Sequence, residues 1–322
     1  MRNILMDDDS KPIRVGLGCT SLSRGYGPIQ QDEEDSVRVV HRALDLGIRI
    51  FDTADIYGPY SNERLLGRAL KSHRDRAVIA TKCGLVTNPD GTLSRDGRPQ
   101  HIRAACDASL SRLATDTIDL YQLHRVDPDV PLEETWGAMA ELVRAGKARG
   151  LGISHASVEE LERINGQFPI SAVQYELSVL ARHAQDDVLK WCETTGTPFL
   201  AFSPLGRGLL TGLVDHAALD EKDARSRDPR FDEHAFAVNR TIVDGLTRVA
   251  RRHGATTAQV SIAWVLAQSE LVIPIPATKR PRWLEQNTAA ASLELTDEDL
   301  RDLARLPAVV GRMQWDYARS GS

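Results

Sequence analysis

Asp52 and Tyr57 lie five positions apart in the stretch Phe51-Asp52-Thr53-Ala54-Asp55-Ile56-Tyr57-Gly58. The run before it, Ile48-Arg49-Ile50-Phe51, reads as a short strand, so the carboxylate ends a strand and the phenol opens the next loop. Three later segments carry polar residues at the ends of apolar runs: Ala80-Thr81-Lys82, Gln122-Leu123-His124 and Val173-Gln174-Tyr175. Each residue alone has an ordinary use. A strand-end aspartate caps or turns the chain, a lysine is solvated, a single histidine is structural, and a tyrosine fills a core or surface. Brought together they make a proton donor. A phenol with a pKa of about 10 donates poorly near neutral pH unless its anion is stabilised. An adjacent ammonium supplies that stabilisation, and a carboxylate holds the ammonium in place and charged. A histidine aimed at the same point orients and polarises a carbonyl. Such a set suits carbonyl reduction, in which oxygen gains negative charge as hydride reaches carbon, and it requires a hydride source.

The elements that must position these residues alternate. Strands are expected at Ile13–Cys19, Ile48–Ala54, Ala77–Cys83, Ile118–His124, Ala148–Ser154, Ser171–Glu176, Pro198–Ser203 and Leu271–Pro276. Between them, apolar residues at helical spacing predict helices at Asp35–Leu46, Asn62–Lys71, Pro99–Leu113, from Pro131 to Gly146, Val158–Asn165, Asp186–Thr195 and His234–Arg252. Thr256 with Gln259 and Thr296 with Asp299 read as capping boxes that open further helices, and Pro281–Ala291 as another. Gly84 to Arg98 reads as a polar loop. Leu205 to Asp232 breaks the rhythm, and a structureless loop of that length inside a compact domain is usually functional. Eight strand–helix units without a linker predict one α/β domain over 1–322, a (β/α)8 TIM barrel with auxiliary helices and long loops. In such a barrel Asp52, Lys82, His124, Gln174 and Ser203 end strands at one shared mouth.

Composition sets the remaining bounds. The 322 residues are 42% hydrophobic and 26% charged with a net charge of −5, which gives no sign of a nucleic-acid or membrane-surface partner. No apolar run reaches the ~18 residues of a membrane span, and the acidic start lacks a signal-peptide core, so a cytoplasmic location is expected. The four cysteines form no CxxC pair and predict neither disulfides nor a metal site. Gly16-x-Gly18 resembles the start of a dinucleotide fingerprint, but Ser21 stands where its third glycine belongs.

These motifs, with Leu123-His124, Gly152-Ile153-Ser154, Ser203-Pro204-Leu205-Gly206-Arg207-Gly208 and Ile275-Pro276-Ala277-Thr278-Lys279-Arg280, resemble the aldo-keto reductase family from about Val15 to Asn287. The resemblance implies a barrel binding NADP(H), with Asp52, Tyr57, Lys82 and His124 as the catalytic tetrad and Tyr57 as general acid. It implies Ser154 and Gln174 at the nicotinamide carboxamide, Phe202 stacked on the ring, and Ser203, Pro204, Leu205, Gly206, Arg207 and Gly208 along the pyrophosphate. Thr278, Lys279 and Arg280 would meet the 2′-phosphate and Gln286 and Asn287 the adenine, with Cys19 and Thr20 also at the cofactor. His155 replaces a common asparagine at the carboxamide, and Trp283 replaces an arginine common near the 2′-phosphate. The substrate would be a small carbonyl compound walled by Tyr26, Tyr57, His124 and Trp315. Two alternative readings stay open: a keto-sugar reductase of natural-product biosynthesis, and a nicotinamide-binding regulatory subunit that resembles the β subunits of potassium channels, which can retain the tetrad. Oligomeric state is not legible.

Overall fold

A computed structural model describes residues 4–6, 14–23, 32–219, 221 and 223–311. Ten strands occur among them: β1 (Leu17–Gly18), β2 (Ile50–Asp52), β3 (Val78–Cys83), β4 (Leu85–Thr87), β5 (Leu93–Arg95), β6 (Ile118–Leu123), β7 (Ala148–Ser154), β8 (Ala172–Glu176), β9 (Phe199–Phe202) and β10 (Val272–Pro274). Eight are parallel in the order β1-β2-β3-β6-β7-β8-β9-β10. The ring closes because the Gly16 and Gly18 amides donate to the Pro274 and Pro276 carbonyls at 3.0 and 3.1 Å, with Gly18 bridging Ala277. The fold is a (β/α)8 barrel, as expected.

The Gly16-x-Gly18 pair belongs to that seam. A Cβ on Gly18 would come within 2.7 Å of the Ile275 carbonyl oxygen, so the close strand approach requires glycine. Prolines also explain why the first and last barrel strands are shorter than expected. Pro274 and Pro276 have no N–H to donate, which leaves only alternate carbonyls to carry the ladder.

Alternation across the barrel wall sorts the residues by layer. Ile50, Val78, Ala80, Leu120, Ala172, Leu200 and Ile273 point inward, and Leu5 from the N-terminal segment joins them. Their neighbours Phe51, Ile79, Tyr121, Val173 and Phe199 face the helix layer. One step further along the inward face come Asp52, Lys82, Gln122 and Gln174, in register with Gly18, Gln122, Gly152 and Leu200 respectively.

The helix layer comprises α1 (Glu33–Asp45), α2 (Ser61–Leu70), α3 (Pro99–Leu113), α4 (Leu132–Arg144), α5 (Val158–Asn165), α6 (Val188–Thr195), α7 (Glu233–Arg252), α8 (Thr257–Leu266), α9 (Pro281–Ala289) and α10 (Asp297–Ala304). α1 illustrates the logic. The Asp32 carboxylate caps it by accepting from the Glu34 amide, acidic residues fill its first turn, and Val39, Val40, Ala43 and Leu44 form the buried stripe. Both expected capping boxes are present, with Thr256 and Gln259 opening α8 and Thr296 and Asp299 opening α10.

Three expectations need correction. The polar loop after β3 contains the antiparallel β4–β5 hairpin, turned by Asn88-Pro89-Asp90-Gly91. Pro131 is the N-cap of α4 and not its first helical residue. Leu205 to Asp232 is not structureless: it carries short 3-10 turns at Gly206–Thr211, His216–Ala218, Ala224–Arg227 and Pro229–Phe231. Arg230 ties that segment together by pairing with Asp228 at 2.8 Å and with Glu176 of β8 at 2.7 Å, all three buried. No helix among the described residues is long and apolar enough to cross a membrane.

Candidate active site

Lys82 is fully buried, and its Nζ donates to Asp52 Oδ1 at 2.5 Å and to the Thr53 carbonyl at 2.8 Å. Burial opposes its charge, but Asp52 and Tyr57 outweigh burial and hold the ammonium above its ordinary pKa. Asp52 Oδ2 accepts from Gln174 Nε2 at 2.8 Å and Gln122 Nε2 at 3.1 Å. A carboxylate only accepts, so both glutamines must turn their NH2 groups toward it, and Gln174 Oε1 faces away. Lys82 Nζ also lies 5.3 Å from the Tyr57 ring centroid, which places the ammonium at the phenol.

His124 stands edge-on to Tyr57, with ring centroids 6.1 Å apart. Its backbone amide donates to the Cys83 carbonyl at 2.8 Å, which fixes the residue just past the end of β6. Burial first, then the charges of Arg125 and Lys82, push the imidazole well below its ordinary pKa. A neutral imidazole carries one N–H donor, the form suited to polarising a carbonyl oxygen without protonating it.

A cavity of about 1100 Å³ opens over these groups. Asp52, Tyr57, His124, Ser154, Gln174, Phe202, Ser203, Pro204, Leu205, Arg207, Gly208, Thr278, Lys279, Arg280, Gln286, Asn287, Cys19 and Thr20 all line it. Lys82 and Gly206 lie behind that wall. His155 also stands outside it, its ring tilted against both Tyr175 (centroids 4.6 Å) and Phe202 (5.3 Å). Burial and Arg125 push His155 down to about 2, so it is a neutral packing ring behind Phe202. Trp283 lines the cavity with the Arg282 guanidinium 4.2 Å over its ring. Tyr26 and Trp315 lie outside the described residues. Among the described residues, no group of three or more His, Cys, Asp or Glu side chains is placed to hold a metal ion.

Sequence reasoning missed four residues here. Gln122 lies two positions before His124 on the inward face, and strand alternation alone could have found it. Arg125 follows His124 directly and lines the cavity, its Nη1 donating to the His124 carbonyl at 2.6 Å and to Ser154 Oγ at 3.0 Å. Arginine only donates, so Ser154 accepts there and its own hydrogen is left to point elsewhere. Arg225 and Arg282 join Lys279 and Arg280 around the cavity. Burial first, then the charges of Arg280 and Arg225, lower Lys279 below its ordinary pKa, with Asp223 opposing.

Asp55, between Asp52 and Tyr57, is a buried acid near the buried Glu63. Its Oδ1 accepts from the Ile56 amide at 2.7 Å. Burial and then Glu63 push it up to about 8, with Arg112 and Lys82 opposing. A carboxyl raised on folding binds more protons in the native state than in the unfolded chain. Its contribution therefore erodes as pH rises from about 4, the unfolded value, to about 8. Asp55→Asn keeps the acceptor oxygen and removes the titration. Its stability advantage over the wild type should grow across that window to about 2–5 kcal/mol, measured by denaturant unfolding at pH 5 and pH 8. An equal difference at both pH values would refute the assignment.

The model of the aldo/keto reductase family matches residues 14–307. Probable aldo-keto reductase 1 of Glycine max is 38% identical over 292 residues, covering 90% of this chain and 84% of that protein. Among solved structures, a glycerol dehydrogenase from Gluconobacter oxydans superposes with a TM-score of 0.84 at 32% identity over 92% of each chain. An aldo-keto reductase from Klebsiella pneumoniae in complex with NADPH superposes with a TM-score of 0.71 at 27% identity, again over 92% of each chain. With the family match spanning nearly the whole barrel, the chain belongs to the aldo/keto reductase family.

Proposed function

We propose that this protein is an NADPH-dependent reductase that converts an aldehyde or ketone to the alcohol, with Tyr57 as general acid. The observation that carries the reading is the convergence on one cavity of Tyr57, backed by the Lys82–Asp52 pair, with a neutral His124 and a cluster of cations. When bound, NADPH supplies hydride to the carbonyl carbon. Tyr57 delivers the proton to the carbonyl oxygen, Lys82 stabilises the phenolate left behind, and Asp52 holds Lys82. His124 donates to the same oxygen and orients it.

The cavity residues suit that cofactor. The Asp52 contact fixes Gln174 with Oε1 available to an amide NH2, and the Arg125 contact fixes Ser154 with its O–H available to an amide oxygen. The two are complementary to a carboxamide. Phe202 offers an aromatic face in the same wall. Lys279, half-buried and crowded by Arg280 and Arg225, gains by meeting an anion, as a 2′-phosphate would provide. The NADP(H)-bound relative from Klebsiella pneumoniae supports the same reading.

The direct test follows NADPH oxidation against a panel of aldehydes and ketones. Binding of NADPH with no turnover of any carbonyl would favour a regulatory role over catalysis. Lys279→Ala with Arg280→Ala should weaken NADPH binding by about 10–100-fold through loss of charge-assisted hydrogen bonds, and NADH binding far less. Fluorescence titration reads both, and an unchanged preference would remove the phosphate assignment.

A further inference from the structure

Asn62 stands behind the cavity wall, yet three segments of the site meet on it. It is fully buried as the second residue of α2. Its Nδ2 donates to the Cys19 carbonyl at 2.8 Å and to Ser23 Oγ at 2.7 Å, and its Oδ1 accepts from Thr53 Oγ1 at 2.6 Å. Its backbone amide donates to the Tyr57 carbonyl at 3.3 Å. A carbonyl only accepts, so the Cys19 contact fixes which way the carboxamide is turned, and the Thr53 hydroxyl must donate to it. The carbonyl of the same Thr53 accepts from Lys82 Nζ at 2.8 Å. One side chain thus joins the residue that seats the ammonium, the cavity wall after β1 and the turn that carries the phenol.

That turn needs holding. α2 begins without a side-chain cap, on Tyr60 in the left-handed region with φ of 64°. A tyrosine there is strained, and such strain persists only where surrounding contacts over-determine it. Gly58 is left-handed too, with φ of 67°, and a Cβ on it would come within 2.7 Å of Ser23 Oγ. The Tyr57 turn is therefore pressed against the hydroxyl that Asn62 holds. We propose that Asn62 is a positioning residue for the general acid, locking the Tyr57 turn to Thr53 and so fixing the phenol at its distance from the Lys82 ammonium. The proposal rests on the carbonyl-reductase reading above, with Tyr57 as proton donor, and adds the residue that sets the donor's place.

A double-mutant cycle separates positioning from general support. Asn62→Leu keeps the side-chain volume and removes both polar ends. It should lower kcat by about 10–100-fold for the panel carbonyl that the wild type reduces fastest, since a misplacement of about 1 Å costs about 100-fold. NADPH affinity, read by fluorescence, should stay within about 3-fold. In a Tyr57→Phe background no phenolic proton is left to position, so the same substitution should change the residual single-turnover rate by less than about 3-fold. Thr53→Val withdraws one hydrogen bond from Asn62 and should lower kcat by about 3–10-fold, with the same dependence on Tyr57. It carries the test if circular dichroism shows that Asn62→Leu does not fold. Equal losses in the two backgrounds, a fall in NADPH affinity matching the fall in kcat, or wild-type kcat in either folded variant would overturn the proposal. Full activity of Tyr57→Phe itself, or no turnover of any panel carbonyl by the wild type, would overturn the underlying reading and this inference with it. A large loss in Tyr57→Phe with the Asn62 effect undiminished overturns only the inference.

Discussion

Tyr57→Phe should lower kcat and kcat/KM together by about 10²–10⁴-fold while leaving NADPH affinity nearly unchanged, since a positioned general acid contributes that much to the transition state alone. The substitution removes one oxygen. The ring that faces His124 and lies against Lys82 stays, so the fold and the Lys82–Asp52 pair have no reason to change. Stopped-flow and steady-state NADPH oxidation with a reactive aldehyde supply the measurement. Full activity in the variant would mean that the proton comes from elsewhere. The pH profile offers a second check. With its imidazole held well below the ordinary value, His124 should add no ionisation to the kcat profile in the usual histidine range.

The second large effect falls on stability as well as rate. Asp52→Ala leaves the ammonium of a fully buried lysine without its carboxylate and leaves the NH2 groups of Gln122 and Gln174 without their common acceptor. Breaking a buried ion pair from one side costs about 3–5 kcal/mol, because the remaining charge is uncompensated. Denaturant unfolding should show that loss, and activity should disappear with it. Removing both charges separates the two consequences. Asp52→Leu combined with Lys82→Met should recover much of the stability, since an apolar pair of similar volume needs no counter-ion, yet it should remain inactive. An Asp52→Ala protein as stable as the wild type would mean that the pair is solvated and not buried.

The parts of the fold that were legible in the sequence are those with strong local signals. Pro99–Leu113, Ala148–Ser154 and Val158–Asn165 have the bounds read from their pattern, and the Thr256–Gln259 and Thr296–Asp299 boxes open the helices they announced. The β4–β5 hairpin was hidden because its strands are three residues each and only partly buried, which leaves little apolar alternation to read. The order in the Leu205–Asp232 segment comes from ion pairs such as Arg207–Asp228 and Arg230–Glu176, contacts between side chains that no local periodicity encodes.

At the site, residues ending strands were easy to place because the barrel directs every strand end to one mouth. Arg125 escaped for the same reason. It lies one position past His124, where simple alternation would turn it outward, but its long side chain returns to the His124 carbonyl and the cavity wall. Family pattern put His155 at the carboxamide. In this chain its ring tilts against Tyr175 and Phe202, where an imidazole finds two aromatic neighbours.

The strict in-and-out order along β2, β3 and β6 makes catalytic competence a proofreading signal for folding. A slip of one residue in β2 would exchange Phe51 for Asp52, and one in β3 would exchange Thr81 for Lys82, with the chain still compact and rich in buried apolar side chains. Circular dichroism would register such a molecule as barrel. Turnover would not. Specific activity recovered after refolding therefore counts the molecules whose strands have found their partners in frame, a quantity that the bulk spectroscopic signals of the fold average away.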